Sequence, residues 1–392
     1  MSSAPNVLKD CGKPLFFSIE KGSSAIDAPE ARIGDAVRLH VRSLSVMQKE
    51  AVVACTNSDV QWRLSSDEGA YLNGLDAAPC PLSFLTTGMV SSYMNEVLAL
   101  AKIRGIEIKN IRLIQDNYYT MKGSALKGTM IGGAKNIDLE AQIDSDADKE
   151  TLMSLIYDAV TASPLNGLMR GEKESLFRLN HNDQDIKLGI AKTVAQPLEA
   201  TDETSMEAVE PAAGDWTDFI RKAGLSPKTA DTNSSHGSSL ADEQDRLLHI
   251  RGICTLRDDG VKLIEQQLYN PHGSIFHFMS DEEGRAPNAI SYISAGIGFC
   301  YMTQLGRYAK IAKKDMSSYT ITQDTHFSKG GASGGTGKPG TADPVETHVY
   351  IDSEQDDDFA RTVVDMGEQT CFLHAFCRTD LKAKIKISDY GK

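Results

Sequence analysis

Apolar residues recur at Ile290, Ile293, Ile297, Tyr301, Leu305 and Tyr308, the three- and four-residue steps of a buried helix face. The stretch 286–313, APNAISYISAGIGFCYMTQLGRYAKIAK, opens with Pro287 and meets no further proline. Proline suits a helix start because it lacks an N–H that would go unpaired there. Gly296 and Gly298 lie inside the stretch. An interior glycine costs a helix about 1 kcal/mol against alanine, so something needs close approach there. A matching stripe, Leu82, Leu85, Met89, Tyr93 and Val97, predicts a helix over 81–104. Either stripe is too apolar to face water in an isolated domain, so the two helices are expected to pack together at Gly88 and Gly296.

Around these helices the pattern shifts to alternation. VRLHVRSLSV, EAVVACTN and DVQWRL predict consecutive strands before the first helix. IEIKNIRLIQDNYYT and NIDLEAQID predict strands after it, then KETLMSLIYDAVTA an amphipathic helix, a short helix near Pro164 and a last strand at SLFRLN. The order then repeats. Strands are expected near 246–256, 261–270 and 274–279, before the helix of 288–313. SSYTITQDTHF and VETHVYID follow as strands, FARTVVDMGEQT and CFLHAFC as a long and a short helix, and KAKIKI as the closing strand.

The repetition is also in the residues. A slide of 208 positions sets Ala78 on Ala286, Pro79 on Pro287, Gly88 on Gly296 and Tyr93 on Tyr301. The same register carries Gln115-Asp116 onto Gln323-Asp324, Ile143-Asp144-Ser145 onto Ile351-Asp352-Ser353, and Arg170 onto Arg378. A fixed register of this kind marks a duplicated unit. It gives an arm over 1–36, a first domain over 37–180, an acidic linker over 181–245 and a second domain over 246–392. The linker lacks apolar periodicity except in DWTDFIRKAG, which reads as one short docking helix. The copies differ where chemistry is possible: Cys300 faces Ser92, and Cys371 faces Ser163.

The 392 residues suffice for two domains. A net charge of −13 argues against nucleic acid and anionic membranes, whose recognition needs a basic face. No apolar run reaches the length of a membrane span, and MSSAPNVLKDCGKP has no signal-peptide core. Seven widely spaced cysteines do not make a secreted disulfide framework, so a cytoplasmic protein is expected.

Cys300 and Cys371 therefore lead the candidates. A free cysteine is commonly a small buried hydrophobe, but these two occupy serine positions of a repeated frame. Thr370 is expected to cap a new helix with Cys371 in its first turn, a place that favours the thiolate. Cys300, in mid-helix, needs a cation to do the same. Six of the nine histidines lie in the second copy: His249, His272, His277, His326, His348 and His374. His374 follows Cys371 by three residues, on the same helical face. A Cys/His pair backed by Asp324 or Glu346 would suit nucleophilic hydrolysis. No Cys/His spacing matches a zinc site, and no metal or cofactor is expected. SKGGASGGTGKPG (328–340) fails as a phosphate loop, because Pro339 replaces the Ser/Thr and a strand follows. It reads as a flexible connection, a lid candidate.

The layout resembles the osmotically inducible protein C/organic hydroperoxide resistance (OsmC/Ohr) family, on Pro287 to Cys300 and on Cys371-Phe-Leu-His-Ala-Phe before KAKIKI. The resemblance implies an α+β fold of two two-layer domains. They would form an intramolecular pseudo-dimer, with two central helices enclosed by antiparallel-rich sheets from both copies. It also implies that the Cys300 thiolate attacks a peroxide and that Cys371 resolves the sulfenic acid to a disulfide. A dithiol reductant would then recycle the pair, and Ser92/Ser163 would mark a dead site. Peroxidase members carry a Glu just after the helix-opening Pro, paired with an activating Arg; here Asn288 and Ala289 follow Pro287. Arg251, Arg285 and Arg307 are the candidates for that Arg. Two other readings stand beside this one. One is a cysteine hydrolase of a small carbonyl compound with Cys300 as nucleophile, and the other is a non-catalytic binding or redox-regulatory protein. Pairing of two chains into a further homodimer is left open.

Overall fold

The computed structural model describes residues 5–21, 23, 26–45, 47–198, 203–228 and 238–391. Its centre is a pair of helices, Pro81–Arg104 and Ala289–Ala312, standing in the same 208-residue register. They run in opposite directions. A Cβ on Gly88 would lie 2.6 Å from the Ala289 carbonyl oxygen, and one on Gly296 would lie 2.6 Å from the Leu85 nitrogen. Only glycine lets the backbones come this close. Pro287 is not itself the first helical residue: Asn288 caps the helix, its side chain accepting the Ser291 N–H at 2.9 Å. Proline does hold that place in the first copy, at Pro81.

Two sheets enclose the helix pair, and each is woven from both copies. One runs Phe17–Ser18, Ser58–Ser66, Lys49–Cys55, Gly34–Ser43, Ser318–Ser328, Glu346–Asp352, Leu176–His181 and Lys192–Thr193. The other runs Ile220–Leu225, Ser274–Ser280, Lys262–Asn270, Glu243–Leu256, Asn110–Ser124, Ile137–Asp144 and Ala383–Asp389. In each, a three-stranded meander of one copy continues into two strands of the other and ends on a strand of the first. The joins are antiparallel and share a register: Thr322 lies opposite His40, and Ile114, its counterpart 208 positions earlier, lies opposite Ile253. The terminal pairings, Glu346–Asp352 with Leu176–His181 and Ile137–Asp144 with Ala383–Asp389, are parallel. The fold is mixed α+β, and the core is continuous through both copies.

The segment between the copies is more structured than its composition suggests. DWTDFIRKAG is not a helix: Ile220–Leu225 pairs as an edge strand with Ser274–Ser280. Only Ile220 of that strand is buried, which is why no apolar period shows. The register shifts between Lys222 and Gly224, and Gly224 has φ +122°, a bulge that glycine accommodates. Trp216 packs edge-on against Trp62, with Phe219 stacked on Trp62 at 5.0 Å. Residues 199–202 and 229–237 of this segment lie outside the described residues. The outer face of the first sheet is covered by the arm and by Met206 and Val209, which meet Phe17, Ile19, Val52 and Ala54. Among the described residues no helix is long and apolar enough to cross a membrane.

Candidate active site

Cys300 sits in the middle of the second central helix and is buried. Cys371 stands at the junction of two helices, closing Asp357–Thr370 and capping Phe372–Cys377. It is the cap residue itself, not a first-turn residue behind a Thr370 cap. The Cys300 thiol lies within hydrogen-bonding reach of the Cys371 sulfur, and both are free. The corresponding atoms of the first copy meet in the same way, Ser92 Oγ and Ser163 Oγ standing 2.7 Å apart. The repeat therefore places both pairs by the same construction.

Burial opposes charge on either thiol, but it does not act alone. Cys300 is pushed well above the ordinary thiol range by burial, and its neighbour Cys371 adds to the effect. At Cys371 burial is outweighed by the Cys300 S–H directed at it and by His374, which together hold it well below that range. The two thiols therefore titrate as a pair, with Cys371 pulled down and Cys300 pushed up. His374 is 1% exposed, wedged between the rings of Phe177 and Tyr301 at 5.1 and 5.2 Å. Neither of its ring nitrogens has a well-formed hydrogen bond. Among the described residues no acid hydrogen-bonds to it: Asp324 is clamped by Arg38 at 2.6 Å and Glu346 by Arg32 at 2.8 Å.

Cys300 opens onto a cavity with about 40 Å³ of free space, room for only a few waters. Its walls come from both copies: Glu68, Tyr71, Cys80 and Met121 from the first, and Cys300, Gln304 and Arg307 from the second. Glu68 accepts from Tyr71 Oη at 2.7 Å and from Thr303 Oγ1 at 2.9 Å, with Lys49 Nζ 4.0 Å away. Burial raises the Glu68 carboxyl and lowers the Lys49 ammonium. The three arginine candidates now separate. Arg251 is forked onto Asp116 and Arg285 onto Asp281. Arg307 is 4% exposed and lines the cavity.

In the first copy the corresponding positions are met by the glycine-rich connection. Glu96, at the position of Gln304, is buried and accepts the backbone N–H groups of Ala332 and Ser333 at 2.8 and 3.1 Å. The glycine-rich connection follows the groove down to the serines. Gly340 donates to the Thr161 carbonyl, and a Cβ on it would lie 1.9 Å from the Ser163 backbone carbonyl oxygen. The loop is therefore a plug over the serine pair, not a lid over the thiols.

The second copy matches the family described as "OsmC-like protein" over residues 281–386. A crystal structure of an OsmC-like hydroperoxide resistance protein from Jannaschia sp. CCS1 is similar at 20% identity, covering 40% of this chain and 99% of that one, with a TM-score of 0.26. No curated protein matches.

The matched segment supplies both thiols, which were visible from the repeat, and His374, which was visible from its spacing to Cys371. The first-copy wall was not. Ser66-Asp67-Glu68 recurs as Ser280-Asp281-Glu282, but at a slide of 214, because the second copy is six residues shorter before its helix. A search at one fixed slide passes over it. The pairing is conserved in space: Glu282 accepts from Asn95 at 2.8 Å with Lys262 at 3.7 Å, as Glu68 accepts from Thr303 beside Lys49. Cys80 lines the same cavity, where burial pushes its thiol up to about 11.

Proposed function

We propose that the protein is a thiol-dependent reductase of small organic hydroperoxides, with a single site built on Cys300 and Cys371. The observation that carries this reading is the placement of the pair: Cys300 lines the cavity, and Cys371 stands behind it within reach of its sulfur. The OsmC-like match and the printed description of the Jannaschia protein agree with a peroxide substrate.

In this reading the two thiols hold one proton between them, on Cys300 at rest, and its movement gives the chemistry its order. Transfer of that proton from Cys300 to Cys371 leaves a Cys300 thiolate on the cavity wall. The thiolate attacks the outer peroxide oxygen, the O–O bond breaks, and the products are a Cys300 sulfenic acid and an alkoxide. The alkoxide takes up the proton held by Cys371 and leaves as the alcohol. Cys371, again a thiolate with His374 beside it, attacks the Cys300 sulfur and expels hydroxide, which a proton converts to water. Two thiols and one hydroperoxide thus become a disulfide, an alcohol and water. An external dithiol returns the pair to its starting state.

The test is consumption of cumene hydroperoxide with dithiothreitol as reductant. Wild-type protein is expected to turn over repeatedly, Cys371→Ser to react slowly even in the first equivalent and to form no intramolecular disulfide, and Cys300→Ser to give nothing above background. Full activity in Cys300→Ser would end this reading.

A further inference from the structure

Arg307 is a charge without a counter-charge. Its Nε donates to the Ser239 carbonyl at 2.7 Å, and its Nη1 meets Gln304 Oε1 at 3.2 Å and Met121 Sδ at 3.8 Å. Among the described residues its Nη2 has no hydrogen-bond partner, and no carboxylate lies within ion-pair distance of the guanidinium. Nearby Glu68 has its own partners in Tyr71 and Thr303. A buried arginine costs several kcal/mol in lost hydration unless an anion meets it. Burial and the neighbouring Arg246 lower Arg307 to about 10, still protonated at neutral pH.

The residue also belongs to the live site alone. Its place in the first helix is taken by Ala99. Arg307 lies seven residues, two helical turns, beyond Cys300 on the same face of the helix. A guanidinium fork of this kind recognises a carboxylate better than any neutral group.

Resting on the reading of Cys300 as the reacting thiol, we propose that the cavity selects small molecules carrying a carboxylate, which Arg307 anchors two turns from the sulfur. The substrate class is then an anionic organic hydroperoxide. The cavity's free space keeps the molecule small.

The test uses two alkylating reagents of nearly equal size, iodoacetate and iodoacetamide, and so does not depend on peroxide turnover. The rate of labelling at Cys300 is read by peptide mass spectrometry on the full-length reduced protein. The ratio of the anionic to the neutral rate cancels any change in thiol acidity. This ratio is expected to be at least tenfold higher in wild type than in Arg307→Gln, and Arg307→Lys is expected to keep most of it. Equal ratios in wild type and Arg307→Gln would overturn the proposal. So would failure of both reagents to reach Cys300 while Cys11 is labelled. If the ratio behaves as expected but a small carboxylate-bearing hydroperoxide such as hydroperoxyacetate is not consumed with dithiothreitol, the anion site stands and the reductase reading falls.

Discussion

The two copies hold the same pair of positions in contact, yet one contact is Ser92 with Ser163 and the other Cys300 with Cys371. The sites diverge in a coordinated way. Around the serines, Glu96 and the 330–333 turn fill the space, and Ala99 faces where a cation would be. Around the thiols, Gln304 takes the place of Glu96, Arg307 that of Ala99, and a cavity opens. Replacing two sulfurs with oxygens is therefore only part of what separates a live site from a filled one; the volume and charge beside it changed as well.

The largest effect is expected from separating the copies. Residues 246–392 expressed alone would leave the strands of 243–256 and 318–328 each without its first-copy partner, one edge of each bare, so a soluble, active monomer is not expected. Analytical ultracentrifugation should show aggregate or homodimer. Next, Cys300→Ser should lower hydroperoxide turnover by about a thousandfold or more, whereas Ser92→Ala should change it less than about twofold. The contrast fails if Ser92→Ala abolishes turnover in a folded protein.

A pH effect should come next. His40 is buried, with Nδ1 3.1 Å from Thr322 Oγ1 and Nε2 unpartnered, and burial lowers its pKa to about 4. The unfolded chain takes up the proton first, below its ordinary 6.5, so this contribution to stability is intact above about pH 6.5 and lost as pH falls through 4. The loss reaches roughly 3 kcal/mol near pH 4. The other sheet carries Ile253 opposite Ile114 at this place. His40→Ile should therefore flatten the dependence of the urea midpoint between pH 6.5 and 4.

Gly88→Ala and Gly296→Ala each force a Cβ to within 2.6 Å of backbone in the partner helix. Each should cost about 1–3 kcal/mol in denaturant unfolding, with similar values because the contact is two-sided. The smallest effect is the most pointed. Ser92→Cys with Ser163→Cys, in a Cys300→Ser background, should oxidise to a disulfide by mass spectrometry yet give no measurable turnover, since Ala99 stands there in place of the arginine. Turnover there would show that the thiols alone suffice.

What could be read from the chain followed physical periodicity. The glycine-bearing helices, the order of strands and the Cys/Ser substitutions all repeat at one slide, and the structure uses them in that register. What could not be read depended on distance across the fold. Nothing local marks Glu68 or Tyr71 as neighbours of Cys300, because they meet it only through the antiparallel crossing of the helices. Arg307 could be named only as one of three arginines, since choosing it required knowing that Asp116 and Asp281 occupy the others. The strand at Ile220–Leu225 was hidden because a sheet edge with one buried side chain has no apolar period.

The interleaved sheets have a consequence for dosage. An assembly of two separate chains falls apart on dilution, and its shared site goes with it. Here the wall bearing Glu68 and the wall bearing Cys300 are tethered at a fixed effective concentration, so the cavity exists at any protein level. Two identical subunits must also carry every substitution twice. One continuous chain need not, and that freedom is what allowed one half of a symmetric body to be filled in while the other stayed open.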